Sequence, residues 1–382
     1  MIPFNKPHLT GKELEYIHDA VGSGKISGNG KYTKLCQEKF EKDYGFRKCL
    51  LTSSCTDALE MAAILIGVEP GDEIIMPSYT FVSTANAFIL RGAKIVFVDS
   101  RDDHPGMDEG LIESLITPKT KAIVPVHYAG IACDMEKIMG IAARYNLLVI
   151  EDAAQAIDSY FINGNGEKKP LGSISHLAAF SFHETKNIIS GEGGMLAINH
   201  PDFIERAEII WEKGTNRSAF FRGEVDKYGW VDIGSSFLPS DIIAAFLWAQ
   251  LERLHVIQEK RFSIWNQYYN GLKDWAEKSG VRLPFVPGYA TNNAHMFYMI
   301  FSTMSQRDKV IKKLKEQDVM SVFHYISLHS SKYYLLQHDG RALPNSDYYS
   351  DTLLRLPMFF DLRHEEINRI IDIITGIEFN AA

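Results

Sequence analysis

The sequence predicts an α/β protein, with a large domain built on a mostly parallel central sheet and a smaller C-terminal α+β domain. First, short apolar runs alternate with amphipathic segments of helical period between residues 48 and 152, as in successive βα units. Second, a chain of 382 residues that is 46% apolar can bury a large core in more than one domain. Third, the pattern changes after a long amphipathic segment at 240–272. We therefore expect residues 1–250 to form the large domain and residues 251–382 the small one.

The strands of the large domain are predicted from apolar runs bounded by turn residues. They are 48–52, 73–76, 94–98, 122–126, 147–151, 177–182 and 195–199. The helices are predicted from the helical period of apolar side chains, with Gly, Pro or Asn after their ends. They are 56–66, 80–91, 108–115, 134–145 and 201–213. Ligands of such a sheet bind beyond the C-terminal ends of its strands, so residues that follow a strand are site candidates.

The remaining segments complete this plan. Residues 161–170, which are rich in Gly, Asn and Lys, interrupt the βα pattern and predict a surface loop or hairpin. The segment 240–272 predicts a long amphipathic helix that links the two domains. The small domain is predicted to contain strands at 296–302 and 321–325 and helices at 306–317 and 364–376.

Composition narrows the classes of partner. The net charge of −8 is spread over mixed acidic and basic residues without a basic stripe, which argues against a nucleic-acid partner. The four cysteines are scattered and form no CxxC pair, which indicates a reducing compartment. The chain has no leader pattern and no apolar run of about 18 residues, so we expect a cytoplasmic protein without membrane insertion. The histidines and cysteines lack the spacing of metal ligands, and we expect no metal site.

The first candidate site is the turn Ser53-Ser54-Cys55-Thr56, which joins a predicted strand to a predicted helix. A helix N-terminus offers free N–H groups and the positive end of the helix dipole, and Ser54 to Thr56 lie at that position. Such a turn favours a phosphate group. Ser and Thr are also the ordinary N-cap residues of any helix, so the turn taken alone allows both interpretations.

A carboxylate marks the end of another predicted strand. The apolar run 147–150 ends in Glu151 and Asp152, at the edge of the sheet where ligands bind. A carboxylate there can keep the ring nitrogen of pyridoxal 5′-phosphate (PLP) protonated, which makes the ring an electron sink. Asp152 can equally begin a turn or cap the next segment.

The third candidate is Lys186, which follows the predicted strand 177–182 and precedes the glycine-rich stretch 191–194. A lysine amine forms a Schiff base with an aldehyde once burial or a nearby charge lowers its pKa from about 10.4. A single lysine on a loop is more commonly just solvated. Together, however, the three candidates match the anchors that PLP requires, which are a phosphate cradle, an acid for the ring nitrogen and a lysine.

The chain further resembles the DegT/DnrJ/EryC1/StrS family of sugar aminotransferases, which belong to the fold-type-I PLP enzymes. The resemblance extends over almost the whole chain and is carried by the stretches 24–28, 70–73, 77–81, 125–130 and 323–325. Three more stretches resemble the family members that aminate a dTDP-4-keto-6-deoxy sugar at C4. They are 182–187, 212–218 and 293–298.

This resemblance implies roles for individual residues. Lys186 is expected to form the covalent link to the cofactor and to move a proton, and Asp152 to pair with the pyridinium nitrogen. Phe81 is expected to stack on the cofactor ring, and Gln155 to contact the ring hydroxyl. Ser236 stands where many relatives have an Asn that reaches the cofactor phosphate of the partner subunit. The residues expected to hold the phosphate within the subunit are Ser54, Cys55, Thr56 and Ser181.

The reaction that the resemblance implies is ping-pong transamination. L-glutamate donates its amino group to the cofactor, and dTDP-4-keto-6-deoxy-D-glucose then receives it, giving dTDP-4-amino-4,6-dideoxy-D-galactose for cell-surface polysaccharide synthesis. His183, Tyr325 and His329 are candidates for substrate contacts, although such residues also serve as core or rim residues. The family also implies a homodimer with shared active sites.

Lys186 distinguishes this chain from the sugar 3-dehydratase branch of the family, which has His at this position. Three alternatives stay open. The product can be the 4-amino-4,6-dideoxy-glucose isomer, the substrate can be a 3-keto sugar, or the chain can be a non-catalytic regulator with the PLP fold.

Overall fold

The structure, a computed structural model, describes residues 1–379. Its strands are β1 (Lys48–Thr52), β2 (Glu73–Pro77), β3 (Lys94–Val98), β4 (Thr120–Ile123), β5 (Leu148–Asp152), β6 (Tyr160–Ile162), β7 (Lys168–Pro170), β8 (Leu177–Ser181), β9 (Gly194–Ile198), β10 (Tyr298–Ile300) and β11 (Leu353–Arg355). Its α-helices are α1 (Glu13–Gly22), α2 (Lys31–Tyr44), α3 (Cys55–Leu65), α4 (Val82–Ile89), α5 (Met135–Tyr145), α6 (Ile204–Trp211), α7 (Arg217–Phe221), α8 (Asp241–Glu252), α9 (Leu254–Ser279), α10 (Met304–Glu316), α11 (Pro344–Thr352) and α12 (His364–Thr375). Shorter 3-10 helices are Ile112–Leu115, Tyr128–Gly130, Pro201–Phe203 and Leu328–Ser330.

The central sheet has seven strands in the order β1-β9-β8-β5-β4-β2-β3. Neighbouring strands from β3 to β8 are parallel, whereas β9 is antiparallel to both β8 and β1. The predicted mostly parallel sheet is therefore confirmed. Because the other six strands point the same way, their C-terminal ends share one edge of the sheet.

Helices cover both faces of this sheet, which explains why its strands are continuous apolar runs. In β1, Leu51 belongs to one apolar core and Leu50 to the core on the opposite face. The covering helices begin and end at ordinary caps. Asp134 accepts a hydrogen bond from the Lys137 amide at the start of α5, and Asn146 ends that helix in the left-handed conformation with φ of 53°.

Several predicted elements differ from those observed. The predicted helix 240–272 is two helices, α8 and α9, because Arg253 leaves helical geometry at φ −113° and ψ 8°. The predicted helix 108–115 is a single 3-10 turn, Ile112–Leu115. The prediction of a strand at 321–325 is wrong within the described residues, since only Val322 pairs there, with Arg355. A lone bridge leaves the rest of this segment without a ladder.

The interrupting segment 161–170 forms the hairpin β6–β7, as predicted. It is anchored to the region before β10, because Phe161 bridges Ala290 and the Ile162 amide donates to the Tyr289 carbonyl at 2.7 Å. The hairpin is therefore packed on the protein body on one side.

The C-terminal part has an apolar core of its own, which is built from α9, α10, α12 and the antiparallel pair β10–β11. The N-terminus joins this core, because Ile2 bridges Val319 and the Met358 amide donates to the Phe4 carbonyl at 3.3 Å. This arrangement brings Phe4 close to β11. The division of the chain at residue 250 stays a prediction.

The length and polarity of the helices decide whether any of them could cross a membrane. The longest helix, α9, has 26 residues and is amphipathic. Among residues 1–379, no helix combines the length and the apolar character needed to cross a membrane.

Candidate active site

A cavity of about 390 Å³ lies at the C-terminal ends of β1, β5 and β8, where β11 approaches the large sheet. Its position is the one expected for a ligand of an α/β sheet. Nine residues predicted from the sequence line its wall. They are Ser54, Cys55, Phe81, Asp152, Gln155, Ser181, His183, Lys186 and Tyr325.

Asp152 is the last residue of β5 and is almost fully buried, with 6% of its surface exposed. Its Oδ2 accepts a hydrogen bond from the Thr84 hydroxyl at 2.7 Å, and its Oδ1 accepts one from the Ala154 amide at 3.1 Å. The Thr84 hydroxyl has one proton, so the Thr80 hydroxyl, 3.1 Å away, must be the donor between the two threonines. This chain of donors holds the carboxylate in one orientation.

Lys186 follows β8 in a tight turn, in which its amide donates to the His183 carbonyl at 2.9 Å. Burial lowers the pKa of Lys186 from its ordinary value, although the nearby Asp152 carboxylate opposes the shift. A lower pKa makes the neutral amine available at a lower pH. The lysine therefore meets a chemical requirement of both a nucleophile and a general base.

The turn after β1 begins α3 at the edge of the cavity. Ser54 is the N-cap, and its hydroxyl accepts from the Asp57 amide at 3.1 Å, so the ordinary capping interpretation is correct for this side chain. Gly194 of β9 pairs with Thr52, and a Cβ at Gly194 would come closer than 3.0 Å to backbone atoms of Ser54 and Cys55. The glycine thus lets β9 pass directly behind the turn.

Aromatic and amide groups form another part of the wall. Phe81 is 54% exposed although it lines the cavity, so its ring face is free to stack on a flat ligand. Its ring centroid lies 6.1 Å from that of Tyr325. The Gln155 amide nitrogen donates to the Tyr325 hydroxyl at 3.0 Å, and its oxygen accepts from the Ala129 amide at 2.6 Å. Gln155 is therefore held in one orientation.

Three predicted site residues are not brought to the cavity wall. The Thr56 hydroxyl donates to Ser83 at 2.8 Å. His329 is buried with its Nδ1 2.8 Å from the Ser78 hydroxyl. Ser236 lies on the surface and bridges Glu212.

Sequence reasoning missed a buried pair beneath the cavity. His127, which lines the cavity, and Glu151 are both fully buried, and His127 Nε2 lies 2.8 Å from Glu151 Oε2. His127 Nδ1 accepts from the Cys133 amide at 3.2 Å, so the ring proton sits on Nε2 and is donated to Glu151. Although burial opposes it, the hydrogen bond from His127 holds the pKa of Glu151 below its ordinary value. The sequence feature that could have revealed this pair is a polar residue, His127, directly after an apolar run.

Two further cavity residues were also missed, His295 and Arg355. His295 Nδ1 lies 2.8 Å from Oδ1 of Asn187, the residue after Lys186. Burial keeps the pKa of His295 well below its ordinary value, so its ring is neutral. For Arg355 the available signal was a charged residue inside the apolar run 353–356.

All four cysteines are free, and burial raises the pKa of each thiol, so they are thiols rather than thiolates. Residues 1–379 contain no group of three or more His, Cys, Asp or Glu side chains arranged to hold a metal ion.

The model of the DegT/DnrJ/EryC1/StrS aminotransferase family matches residues 7–375. The chain belongs to this family. Solved structures similar to this chain include the aminotransferase TlmJ from Streptoalloteichus hindustanus, which is 27% identical, with a TM-score of 0.89 over 98% of each chain. DesV from S. venezuelae is 27% identical, with a TM-score of 0.88 over 98% of this chain and 97% of that one. NtdA from Bacillus subtilis, with bound cofactor PMP (pyridoxamine phosphate), is 26% identical, with a TM-score of 0.85 over 96% of this chain and 82% of that one.

This chain is therefore a PLP-dependent sugar aminotransferase, and its predicted fold, that of the PLP-dependent aminotransferases, is confirmed. Its cavity fits the cofactor chemically. A buried carboxylate, Asp152, stands at a strand end, an amine of lowered pKa, Lys186, lines the same cavity, and the turn at Ser54 sits against Gly194 without an intervening side chain. These groups suit a pyridinium nitrogen, an aldehyde and a phosphate, respectively.

Proposed function

We propose that this aminotransferase moves the amino group of L-glutamate to C4 of dTDP-4-keto-6-deoxy-D-glucose and so produces dTDP-4-amino-4,6-dideoxy-D-galactose for cell-surface polysaccharide synthesis. The observation that carries the transfer chemistry is that Lys186 and Asp152 line one cavity, with lysine rather than histidine at position 186. A histidine there is what the resemblance associates with 3-dehydration.

The choice of sugar rests on the closer resemblance of the stretches 182–187, 212–218 and 293–298 to dTDP-4-amino-4,6-dideoxygalactose transaminases. Two of these stretches pack against each other beside the cavity. The Asn187 side chain donates to the Asn293 carbonyl at 2.9 Å, and His295 lies against Asn187. This contact supports a common role for the two stretches in one binding site.

The residue roles follow from the chemistry of the cavity. When bound, PLP supplies an aldehyde that accepts an amino group and a protonated ring that delocalises an electron pair. We propose that Asp152 keeps the ring nitrogen protonated, since Thr84 and Ala154 fix its carboxylate in one orientation in the cavity. Lys186 Nζ removes a proton from the donor carbon and, in the second half of the cycle, delivers one to C4 of the sugar.

The remaining wall residues bind and orient. Phe81 would cover one face of the cofactor ring, and Gln155, fixed by Ala129 and Tyr325, would contact the ring hydroxyl. The residues proposed to hold the phosphate are Ser54, Cys55, Thr56 and Ser181, with Thr56 acting through its backbone because its hydroxyl is engaged by Ser83. His183 and Tyr325 are proposed sugar contacts. His329, which is buried off the cavity wall beside Ser78, is proposed only to support the wall.

We further propose a homodimer in which Ser236 approaches the partner's phosphate site. Ser236 is exposed and does not line the cavity of its own chain, and large apolar side chains are exposed near it, including Trp230 at 84% and Val231 at 55%. Light scattering of the purified protein measures the dimer. A mass equal to one chain at micromolar concentration would contradict it.

The decisive experiment is incubation of the purified enzyme with L-glutamate and dTDP-4-keto-6-deoxy-D-glucose, followed by NMR assignment of C4. An axial amine supports the proposal, and an equatorial amine identifies the gluco product instead. Amination of only a 3-keto sugar would identify the other substrate class, and failure of every sugar to react would favour a regulator.

A spectroscopic experiment tests the lysine separately. The visible absorption band of the enzyme-bound cofactor should be lost in Lys186→Ala and kept in Lys169→Ala, a matched change at a half-exposed lysine of β7. Retention of the band in Lys186→Ala would place the covalent link elsewhere.

A further inference from the structure

Arg355 is the last residue of β11, and its backbone is fixed on both sides. It pairs with Tyr298 of β10, and it exchanges two backbone hydrogen bonds with Val322, at 2.8 and 3.2 Å. Its side chain lines the cavity together with Lys186 and Asp152. The guanidinium is thus carried into the site on a rigid element rather than on a loop.

The protein itself supplies few hydrogen-bond acceptors for the Arg355 guanidinium. Of its five N–H donors, one is used in the described residues, where Nη2 donates to the Phe323 carbonyl at 3.3 Å, and its buried Nε has no partner. The guanidinium carbon of Arg355, Cζ, lies 4.8 Å from the centre of the Phe4 ring. Burial lowers the pKa of Arg355, and the groups that oppose this shift are phenols, not carboxylates.

A buried cation without an anionic partner is costly, and proteins rarely keep one unless a ligand supplies the anion. The charge also lies near the reacting amine, because Arg355 is one of the groups that lower the pKa of Lys186. An anion bound by Arg355 would therefore lie in the same cavity as the carbon on which Lys186 acts.

We propose that Arg355 binds the α-carboxylate of the amino donor. This inference rests on the proposed amino-acid donor of the reaction. The α-carboxylate is attached directly to the carbon that loses its proton, and a planar guanidinium binds a carboxylate through two parallel hydrogen bonds. The diphosphate of a nucleotide sugar fits this position less well, because the hexose ring separates it from the keto carbon.

The two half-reactions separate these roles. In the first, enzyme loaded with PLP is mixed with L-glutamate, and the loss of visible absorption is followed at several glutamate concentrations. In the second, enzyme loaded with pyridoxamine phosphate is mixed with the keto sugar. Arg355→Gln should raise the glutamate concentration for half-maximal rate by roughly 10- to 100-fold and change the sugar half-reaction less than about twofold. Arg355→Lys should lie between Arg355→Gln and wild type, since it keeps the charge but not the bidentate geometry.

A matched control and a binding measurement complete the test. Arg363→Gln removes the same charge from a side chain that is 70% exposed, and it should leave both half-reactions unchanged. Calorimetry should detect glutarate binding to the wild-type holoenzyme and a loss of that binding in Arg355→Gln. Wild type should also prefer glutamate to isoglutamine, whose α-carboxylate is an amide, and Arg355→Gln should lose this preference.

Equal losses in both half-reactions, or an undiminished preference for glutamate over isoglutamine in Arg355→Gln, would overturn the inference. Failure of the proposed donor is a different result. If wild type ignores glutamate but accepts another α-amino acid, the same comparison is made with that amino acid and its α-amide.

Discussion

Replacing Gly194 with alanine should displace the turn that begins α3 and weaken cofactor binding. Gly194 is the first residue of β9 and pairs with Thr52, directly behind Ser54 and Cys55. An alanine Cβ would come closer than 3.0 Å to three backbone atoms of these two residues, a separation that real Cβ atoms essentially never show. Because the obstacle is backbone, no side-chain rotation relieves it.

The magnitude follows from two opposing effects. Overpacking of a well-packed site costs about 1–3 kcal/mol, and the lower entropy of the unfolded alanine variant offsets about 0.4–1 kcal/mol of this. We expect the free energy of unfolding to fall by about 1–2 kcal/mol. The phosphate cradle moves with the turn, so the Kd for PLP should rise by about tenfold, equivalent to about 1.4 kcal/mol.

Urea denaturation of the apoprotein measures the first quantity, and absorbance titration with PLP measures the second. Gly22→Ala is the matched control, because a Cβ at Gly22 meets no atom within 4 Å. The reasoning would be refuted if Gly194→Ala matched Gly22→Ala in both stability and Kd.

Three further predictions concern the groups around the cofactor. Thr84→Val removes the 2.7 Å hydrogen bond to Asp152 and should lower the free energy of unfolding of the apoprotein by about 1.5–3 kcal/mol. Urea denaturation measures this change, and an unchanged urea midpoint would contradict the prediction. His127→Ala removes one hydrogen bond from the buried Glu151 carboxylate, which keeps the amides of Gly172 and Ser175 as donors. It should cost about 1.5–3 kcal/mol in the same assay, whereas a loss below about 0.5 kcal/mol would contradict this. Because the pKa of Lys186 is lowered, its neutral amine forms at a lower pH than that of a lysine with the ordinary pKa of 10.5. The rate at which the apoprotein binds PLP covalently should therefore rise with pH around a midpoint below 10.5. Stopped-flow absorbance measures this rate, and a midpoint at or above 10.5 would contradict the prediction.

Much of the site was predictable because it lies where local patterns change. Asp152 follows an apolar run that becomes β5, and Lys186 follows the run that becomes β8. Parallel strands place such residues at one edge of a sheet, whatever the rest of the chain does. The resemblance then supplied the family, which the match over residues 7–375 confirmed.

The errors have a common cause. The apolar period runs through Arg253 without interruption, so the sequence predicted one helix where the chain forms α8 and α9. The segment 321–325 has strand-like composition, yet only Val322 finds a partner. Periodicity reports which side chains face the core, whereas a break or a ladder depends on backbone partners elsewhere.

The sequence by itself therefore determined the α/β class, the order of most elements and the strand ends that carry Asp152 and Lys186. Only the tertiary structure decided what these groups meet. Thr84 donates to Asp152 across 68 residues of chain, and Arg355 enters the cavity from β11, far from either. The physical reason is that secondary structure follows from the period of neighbouring residues, while hydrogen bonds and charges across a cavity depend on how distant elements pack.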